Sequence, residues 1–574
     1  MAKQFSEEDI LSVLYNGLPL DLSLAGYLSV IPALLLILSI WITPKAISKI
    51  FNVYYAIILF LITTIGVIDT IVYPYWGFHF DSSVFLYLKN PKEALASGSL
   101  HEIVIGALAL IIITSLLYAL YSLIIKTQIN RLKVPKKIGK TCIVLVILTG
   151  LLFLPIRGGV TVSTMNIGKV YFSDDMFLNH AAINPQFNLI YSLFKTEDFG
   201  SQYQFYDKNE AIQAFDKING ATSTDSIIGL LNTDRPNVIL FILESFSANA
   251  VSDTLVAPNM HRFAKEGISF TNFYANSFRT DRGLVSILSG YPAHPTTAII
   301  KYPNKTQSLP AIPKSLKDKG YDLSFYYGGD VNFANMRSYL VGSCGISNII
   351  SDEDFPLSDR LTKWGVPDKT LITKLYTDLT INSPKQPFSK TVLTLSSHEP
   401  FDVPTNKFKE PFLNAMSYTD SCLGDFVDKL KTTDLWQNTL IVLVADHCIQ
   451  SYPSGIENNS PERFHIPMIW TGGAVAKPDT IISDYGSQND IAATLLSQLK
   501  INHDNFKFSK DMLNPDVNKY AFYSYMNGFS MIDSTGYVIF DNNRNSVLRE
   551  EGNKELEKKA KIIFQNMYID LGKR

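Results

Sequence analysis

Hydrophobicity divides the chain into two halves of different pattern. Before residue 157 the apolar residues gather in four long stretches, about 22–42, 54–72, 103–125 and 142–155. A membrane-crossing helix needs roughly 20 mostly apolar residues. The first three stretches meet that length, and the fourth reaches it by recruiting Lys140, Thr141 and Ile156 at its ends. From about residue 235 short apolar runs alternate with amphipathic ones. Runs at 238–243, 268–274, 322–327, 391–395 and 440–445 predict strands; 257–266, 281–288, 309–319 and 490–499 predict helices. Strands alternating with helices predict an α/β domain with a mostly parallel central sheet. A strand or hairpin at 536–541 and a charged helix at 554–568 close the chain, and 157–233 reads as a connecting region with a helical stretch near 210–217.

Charge adds an orientation. Lys126, Arg131, Lys133, Lys136, Lys137 and Lys140 crowd one loop, and Lys45 and Lys49 follow the first stretch. The positive-inside rule places both segments in the cytoplasm. Residues 73–99 and everything after Arg157 are then expected outside. The N-terminus falls outside too, with no signal peptide in the first twenty residues, so a further span ahead of Met1 is expected. Segment 177–185 is expected to run along the membrane surface, with Asn179 and His180 capping and packing rather than binding headgroups. A net charge of −2 excludes the basic face of a nucleic-acid binder, and 574 residues exclude a single ordinary domain. Cys344, Cys422 and Cys448 are an odd set outside the membrane and are expected to be free thiols, like Cys142 in its span.

The chemistry sits where strands end. Four predicted strands lead directly into Glu244, Gly328-Gly329-Asp330, Ser396-Ser397-His398 and Asp446-His447. In an open α/β sheet ligands bind at the carboxyl ends of the strands, so these distant residues are expected to share one site. Glu244, Asp446, His447 and a Thr280 hydroxyl form a three-oxygen, one-nitrogen set for one divalent metal ion. Hard oxygen donors favour Mn²⁺, with Zn²⁺ or Mg²⁺ as alternatives. Thr280 stands before the helical run from Asp281, where a helix N-terminus favours phosphate oxygens, and a metal would activate its hydroxyl as a nucleophile. His398 and His465 are candidates to stabilise phosphate charge or protonate a leaving alkoxide. Arg282 and Asp330 are further substrate-binding candidates. Arg337 and Asn335 read as ordinary turn and helix residues.

At these residues the chain resembles the lipoteichoic acid synthase family, within the alkaline phosphatase and sulfatase superfamily. The carrying segments are Arg235–Phe246, Asn276–Gly283, Ser397–Phe401 and Val444–His447. The resemblance implies a four-part chain: a transmembrane helical bundle at 1–156, a linker along the membrane surface at 157–232, an extracytoplasmic sulfatase-like catalytic domain at 233–530, and a C-terminal hairpin and helix at 531–574. It implies Glu244, Asp446 and His447 as metal ligands, Thr280 as ligand and nucleophile, and His398 at the substrate phosphate. His465 resembles a histidine of related phosphoethanolamine transferases. The activity implied is transfer of a phospholipid headgroup, phosphoglycerol or phosphoethanolamine, through a phosphothreonine, to a cell-envelope glycan or lipid at a bacterial inner membrane. Two departures stand out. The family has five spans against four here, and Ala334 and Met336 occupy the places of its headgroup-binding Trp and Arg.

Two other readings compete. One is a phosphatase, phosphodiesterase or sulfuric ester hydrolase of the same superfamily. Thr280-Asp-Arg-Gly lacks the Cys or Ser that a type I sulfatase converts to formylglycine. The other is a non-enzymatic membrane relative, which the retained Glu244, Thr280, Asp446 and His447 argue against.

Overall fold

The computed structural model describes residues 5–76, 79, 100–132, 137–173, 175–193, 198–219, 228–382, 384–449, 452–526 and 528–574. Most of the 73–99 segment, and Lys133 and Lys136 of the basic loop, lie outside the described residues. The chain forms two compact units, 1–197 and 198–574.

Among the described residues of the first unit, four helices are long and apolar enough to cross a membrane: Glu7–Leu38, Pro44–Tyr73, His101–Ile129 and Ile138–Arg157. The first begins well before its apolar stretch, because Ser6 and Asp9 close a capping box over acidic first-turn residues. Their outer faces expose large aliphatics such as Leu11, Leu116, Leu123 and Ile143, a surface better suited to lipid than to water. Polar groups inside the unit bond to backbone: Ser23 Oγ donates to the Ile156 carbonyl at 2.9 Å and Tyr54 Oη to the Leu28 carbonyl at 2.5 Å. Asn179 accepts from the amides of Phe172 and Ser173, the local capping role expected of it.

The second unit is built on an eight-stranded sheet. Its strands are β1 (Asn237–Leu243), β2 (Ile268–Phe270), β4 (Asp322–Tyr327), β5 (Ile349–Ile350), β6 (Phe388–Leu393), β7 (Thr439–Ala445), β8 (Met468–Thr471) and β9 (Thr480–Ile482), in the order β5-β4-β6-β1-β7-β8-β2-β9. The central strands β4, β6, β1 and β7 pair in parallel. β1 and β7 are buried along their whole length, which is why their sequences run apolar without alternation. β8 pairs antiparallel with both β7 and β2. The predicted 268–274 strand is two pieces, β2 and β3 (Phe273–Tyr274); β3 pairs with β10 (Gly486–Ser487) in a separate ladder. A four-stranded antiparallel sheet spanning 521–551 and a helix at Glu555–Lys573 complete the unit. Cys142, Cys344, Cys422 and Cys448 are all free thiols.

Register fixes where the chemistry falls. Tyr327 and Ile242 both pair with Leu393, and Leu243 pairs with Ala445. Four neighbouring strands therefore end level, and the residues that follow them share one edge. β6 ends two residues earlier than its apolar run predicts. Beyond it the amides of Leu395 and Ser396 turn to the Asp368 carboxylate instead of a neighbouring strand.

Candidate active site

Glu244, Asp446 and His447 offer ligand atoms that all lie within 4.8 Å of one another. Glu244 follows β1 directly. Its amide donates to Thr394 Oγ1 at 2.8 Å and its carbonyl accepts from Ser397 Oγ at 2.6 Å, so the β6 turn locks its backbone. Asp446 and His447 follow β7. One carboxylate oxygen of Asp446 accepts from the amides of Ser245 and His447 at 2.8 and 2.7 Å. The other, Oδ2, is buried without a hydrogen bond.

Thr280 opens the helix α1 (Thr280–Ser289), with Arg279 in the capping position. The threonine is thus the first helical residue and not the cap. Its Oγ1 donates to Glu244 Oε2 at 3.1 Å and lies 3.4 Å from His447 Nε2. This approach depends on Gly283, where a Cβ would stand 2.3 Å from the Asp446 carbonyl oxygen.

The electrostatics are those of a site short of positive charge. Burial raises the Asp446 carboxyl to about 7, helped by repulsion from Glu244. Burial works against the His447 imidazolium, but the Asp446 and Glu244 carboxylates outweigh it and lift it to about 10. Burial raises Glu244 as well, yet its bond to His447 wins and holds it near 2. His447 Nδ1 donates to the Cys448 carbonyl at 2.9 Å. That bond leaves Nε2, the nitrogen facing the carboxylates, as the free donor atom of the neutral ring. Two buried carboxylates, an orphaned carboxylate oxygen, a correctly turned imidazole and a hydroxyl fit a divalent cation.

His398 stands on the neighbouring turn. Asp368, which receives the Leu395 and Ser396 amides, is itself anchored by Thr419 Oγ1 at 2.6 Å. His398 Nδ1 donates to the Glu399 carbonyl at 2.8 Å, leaving Nε2 for a ligand. Its ring lies 4.5 Å from that of Trp364, whose indole N–H donates to the same carbonyl at 2.6 Å.

Two candidates point elsewhere. His465 Nε2 bonds to the Thr271 carbonyl at 2.7 Å and its ring stacks on Tyr274 at 5.1 Å. Among the described residues it makes no hydrogen bond to the cluster. Arg282 braces a loop: its guanidinium donates to the carbonyls of His294 and Pro295, pairs with Asp281 at 3.5 Å, and covers the Phe278 ring. Asp330 accepts from the Asn332 amide at 2.9 Å in the turn beyond β4.

Arg279 and Trp364 are residues the sequence reading passed over. Arg279 is exposed beside Thr280; its carbonyl accepts from the Arg282 and Gly283 amides, and no hydrogen bond or ion pair engages its guanidinium among the described residues. Its position in the nucleophile segment was a signal available in the sequence. Nothing in the sequence brings Trp364 to His398, because the contact arises from the pairing of Gly365 with Gly329 at the end of β4.

Residues 236–501 match the Sulfatase family, and residues 6–154 match a domain of unknown function, DUF3413. The chain's relatives include a lipoteichoic acid synthase-like protein, YvgJ, of Bacillus subtilis, 23% identical over 66% of this chain and 67% of that one. Phosphoglycerol transferase I of Xanthomonas campestris is 24% identical over 49% of this chain and 43% of its own length. Lipoteichoic acid synthase of Staphylococcus saprophyticus is 25% identical over 57% and 55%. The chain thus spans two thirds of the first relative and about half of the others. A Vibrio parahaemolyticus protein of the alkaline phosphatase superfamily shares the fold over 64% of this chain and 99% of its own, with a TM-score of 0.55 and 23% identity. The lipoteichoic acid synthase LtaP of Listeria monocytogenes shares it with a TM-score of 0.51, 18% identity, and coverage of 62% and 98%.

Proposed function

We propose that the chain is a membrane-anchored, metal-dependent phosphotransferase that moves a phospholipid headgroup, phosphoglycerol or phosphoethanolamine, to an extracytoplasmic glycan or lipid. The observation that carries this reading is the Thr280 hydroxyl at a helix start, within bonding reach of Glu244 and beside Asp446 and His447. Relatives named lipoteichoic acid synthase and phosphoglycerol transferase support it. The apolar helices and the basic Lys126–Lys140 loop support a domain held outside the membrane.

Glu244, Thr280, Asp446 and His447 would hold one divalent ion, with Mn²⁺ favoured by the oxygen-rich set. Such an ion would lower the pKa of the Thr280 hydroxyl and neutralise charge on the phosphate. The chain's own groups do the rest. Thr280 Oγ1 already donates to Glu244 Oε2, which holds the oxygen at the cluster; with an ion bound, its proton would pass to solvent. The first amides of α1 face the incoming phosphate oxygens. Thr280 Oγ would attack phosphorus, the bond to the diacylglycerol oxygen would break, and the His398 imidazolium would give that leaving oxygen its Nε2 proton. An acceptor hydroxyl would then attack the phosphothreonine, pass its proton to the neutral His398 and release Thr280.

The test is mass spectrometry of the full chain in lipid nanodiscs with Mn²⁺ and phosphatidylglycerol or phosphatidylethanolamine. A headgroup adduct on the peptide holding Thr280, absent from Thr280→Ala, is the expected result. Release of free headgroup with no adduct would replace transfer by hydrolysis.

A further inference from the structure

Beside His398 the domain carries an apolar projection that folding does not explain. Residues 356–364 leave the core at buried Phe355 and return to it at buried Val366. Between those anchors Leu357 is 81% exposed and Leu361 73% exposed, while Phe333, 6.3 Å from Trp364, is 45% exposed. The loop is not slack. Arg360 pairs with Asp352 at 3.5 Å and donates to the Phe355 carbonyl, Thr362 bonds Gly365, and Val366 donates to the Gly328 carbonyl at 2.8 Å. A structured turn therefore holds two leucines in water within five residues of one another, beside Phe333. Among the described residues of this unit, the other exposed aliphatics, Ile228, Leu255, Ile381, Ile481 and Met526, belong to separate segments.

We propose that residues 356–364 are a lip that enters a phospholipid surface and delivers the headgroup to His398. Leucines at the tip, a tryptophan behind them and Lys363 alongside follow the layering of an interfacial anchor. Aliphatic groups lie deepest, the indole sits at headgroup level, and a cation meets the phosphates. The Trp364 ring touches His398 at 4.5 Å, so a lipid gripped by the lip has its phosphate next to the site. Because Gly365 and Val366 bond to Gly329 and Gly328, the lip is fastened to the strand end that bears Asp330. This inference rests on the reading that the donor is a membrane phospholipid.

The experiment uses the full chain, with Cys142→Ser, in phosphatidylethanolamine–phosphatidylglycerol vesicles. An environment-sensitive fluorophore is placed at Leu361→Cys, at Leu357→Cys and, as a reference, at Ile381→Cys. Lipids with nitroxide-bearing acyl chains are expected to quench the 357 and 361 labels at least about threefold more than the 381 label. Equal quenching at all three sites overturns the lip and leaves the patch as a surface for a soluble partner. Quenching reads depth and not turnover. A chain that consumes phospholipid with its lip unquenched refutes this inference alone. A quenched lip on a chain that forms no adduct refutes the transferase reading and leaves the membrane contact standing.

Discussion

The side-chain amide of Gln488 donates to the Asp446 carbonyl at 2.7 Å. It gives its second hydrogen to the Ala445 carbonyl at 2.7 Å, and its oxygen accepts from the Asn276 amide at 2.9 Å. One buried side chain thus joins the end of β7 to the segment that leads to Thr280. Gln488→Leu leaves three buried backbone groups unpaired, a cost of about 3 kcal/mol or more. Its expected signature is a Mn²⁺ affinity lowered roughly 10- to 100-fold, as for other groups that orient metal ligands, read by calorimetry on protein shown to be folded. Unchanged affinity would make Gln488 a packing residue only.

Gly283 lets α1 close on Asp446, since an added Cβ would meet the Asp446 carbonyl at 2.3 Å. Gly283→Ala forces the helix and the strand end apart, and overpacking of this kind costs about 1–3 kcal/mol. Thr280 moves with the helix, so adduct formation is expected to fall by about 100-fold or more, the penalty of an ångström-scale misplacement. A variant that is destabilised yet labels at the wild-type rate would show that the nucleophile does not depend on this contact.

His398 and His465 are predicted to separate cleanly. His398→Ala is expected to slow headgroup transfer by roughly 100-fold, the usual worth of a positioned acid, with the melting temperature little changed. His465→Ala loses its bond to Thr271 and its stack on Tyr274, so it should lower stability by about 1 kcal/mol and leave transfer near wild type. Paired thermal melts and single-turnover rates decide between them.

That contrast marks the limit of the sequence. The positions of Glu244, Asp446 and His398 at one edge of the sheet were legible because each follows a strand end, and level strand ends in a parallel sheet need no knowledge of side-chain direction. His465 also precedes a strand, yet its ring turns along the sheet, a fact set by tertiary contact with Thr271 and Tyr274. Arg282 was a phosphate candidate by proximity to Thr280, but on a helix two residues of separation point it away, toward the His294 carbonyl. Trp364 reaches His398 across more than thirty residues through the Gly329–Gly365 pairing, which periodicity cannot reveal. The apolar helices were visible from length alone, whereas the capping box that extends the first one depends on Ser6 and Asp9.

Asp446→Asn tests the cation site without any turnover. Asparagine keeps the oxygen that accepts from Ser245 and His447 but removes one of two buried like charges. Without metal the variant is expected to melt higher than wild type, because the burial of a charge that, with repulsion from Glu244, raises Asp446 to about 7 is gone. With excess Mn²⁺ the order should reverse, since a ligand that binds only the folded state stabilises in proportion to its affinity. Equal metal-induced shifts in both proteins would remove Asp446 from the ligand set.

His294 predicts an acid sensitivity seated away from the cluster. Its ring is fully buried among Tyr291, Tyr568 and Phe199, and burial, reinforced by Arg282, lowers its pKa from 6.5 to about 3. The folded state therefore resists a proton that the unfolded chain accepts. The sign follows: the neutral ring's contribution is complete above pH 6.5 and is lost progressively as the pH falls toward 3. Across that window the difference is on the order of 4 kcal/mol. His294→Phe keeps an aromatic ring and cannot be protonated there. Urea melts at neutral pH and near the lower end of the window should show wild type losing several kcal/mol more than the variant. Parallel losses in the two proteins would mean that the ring gains a partner for its proton in the folded state.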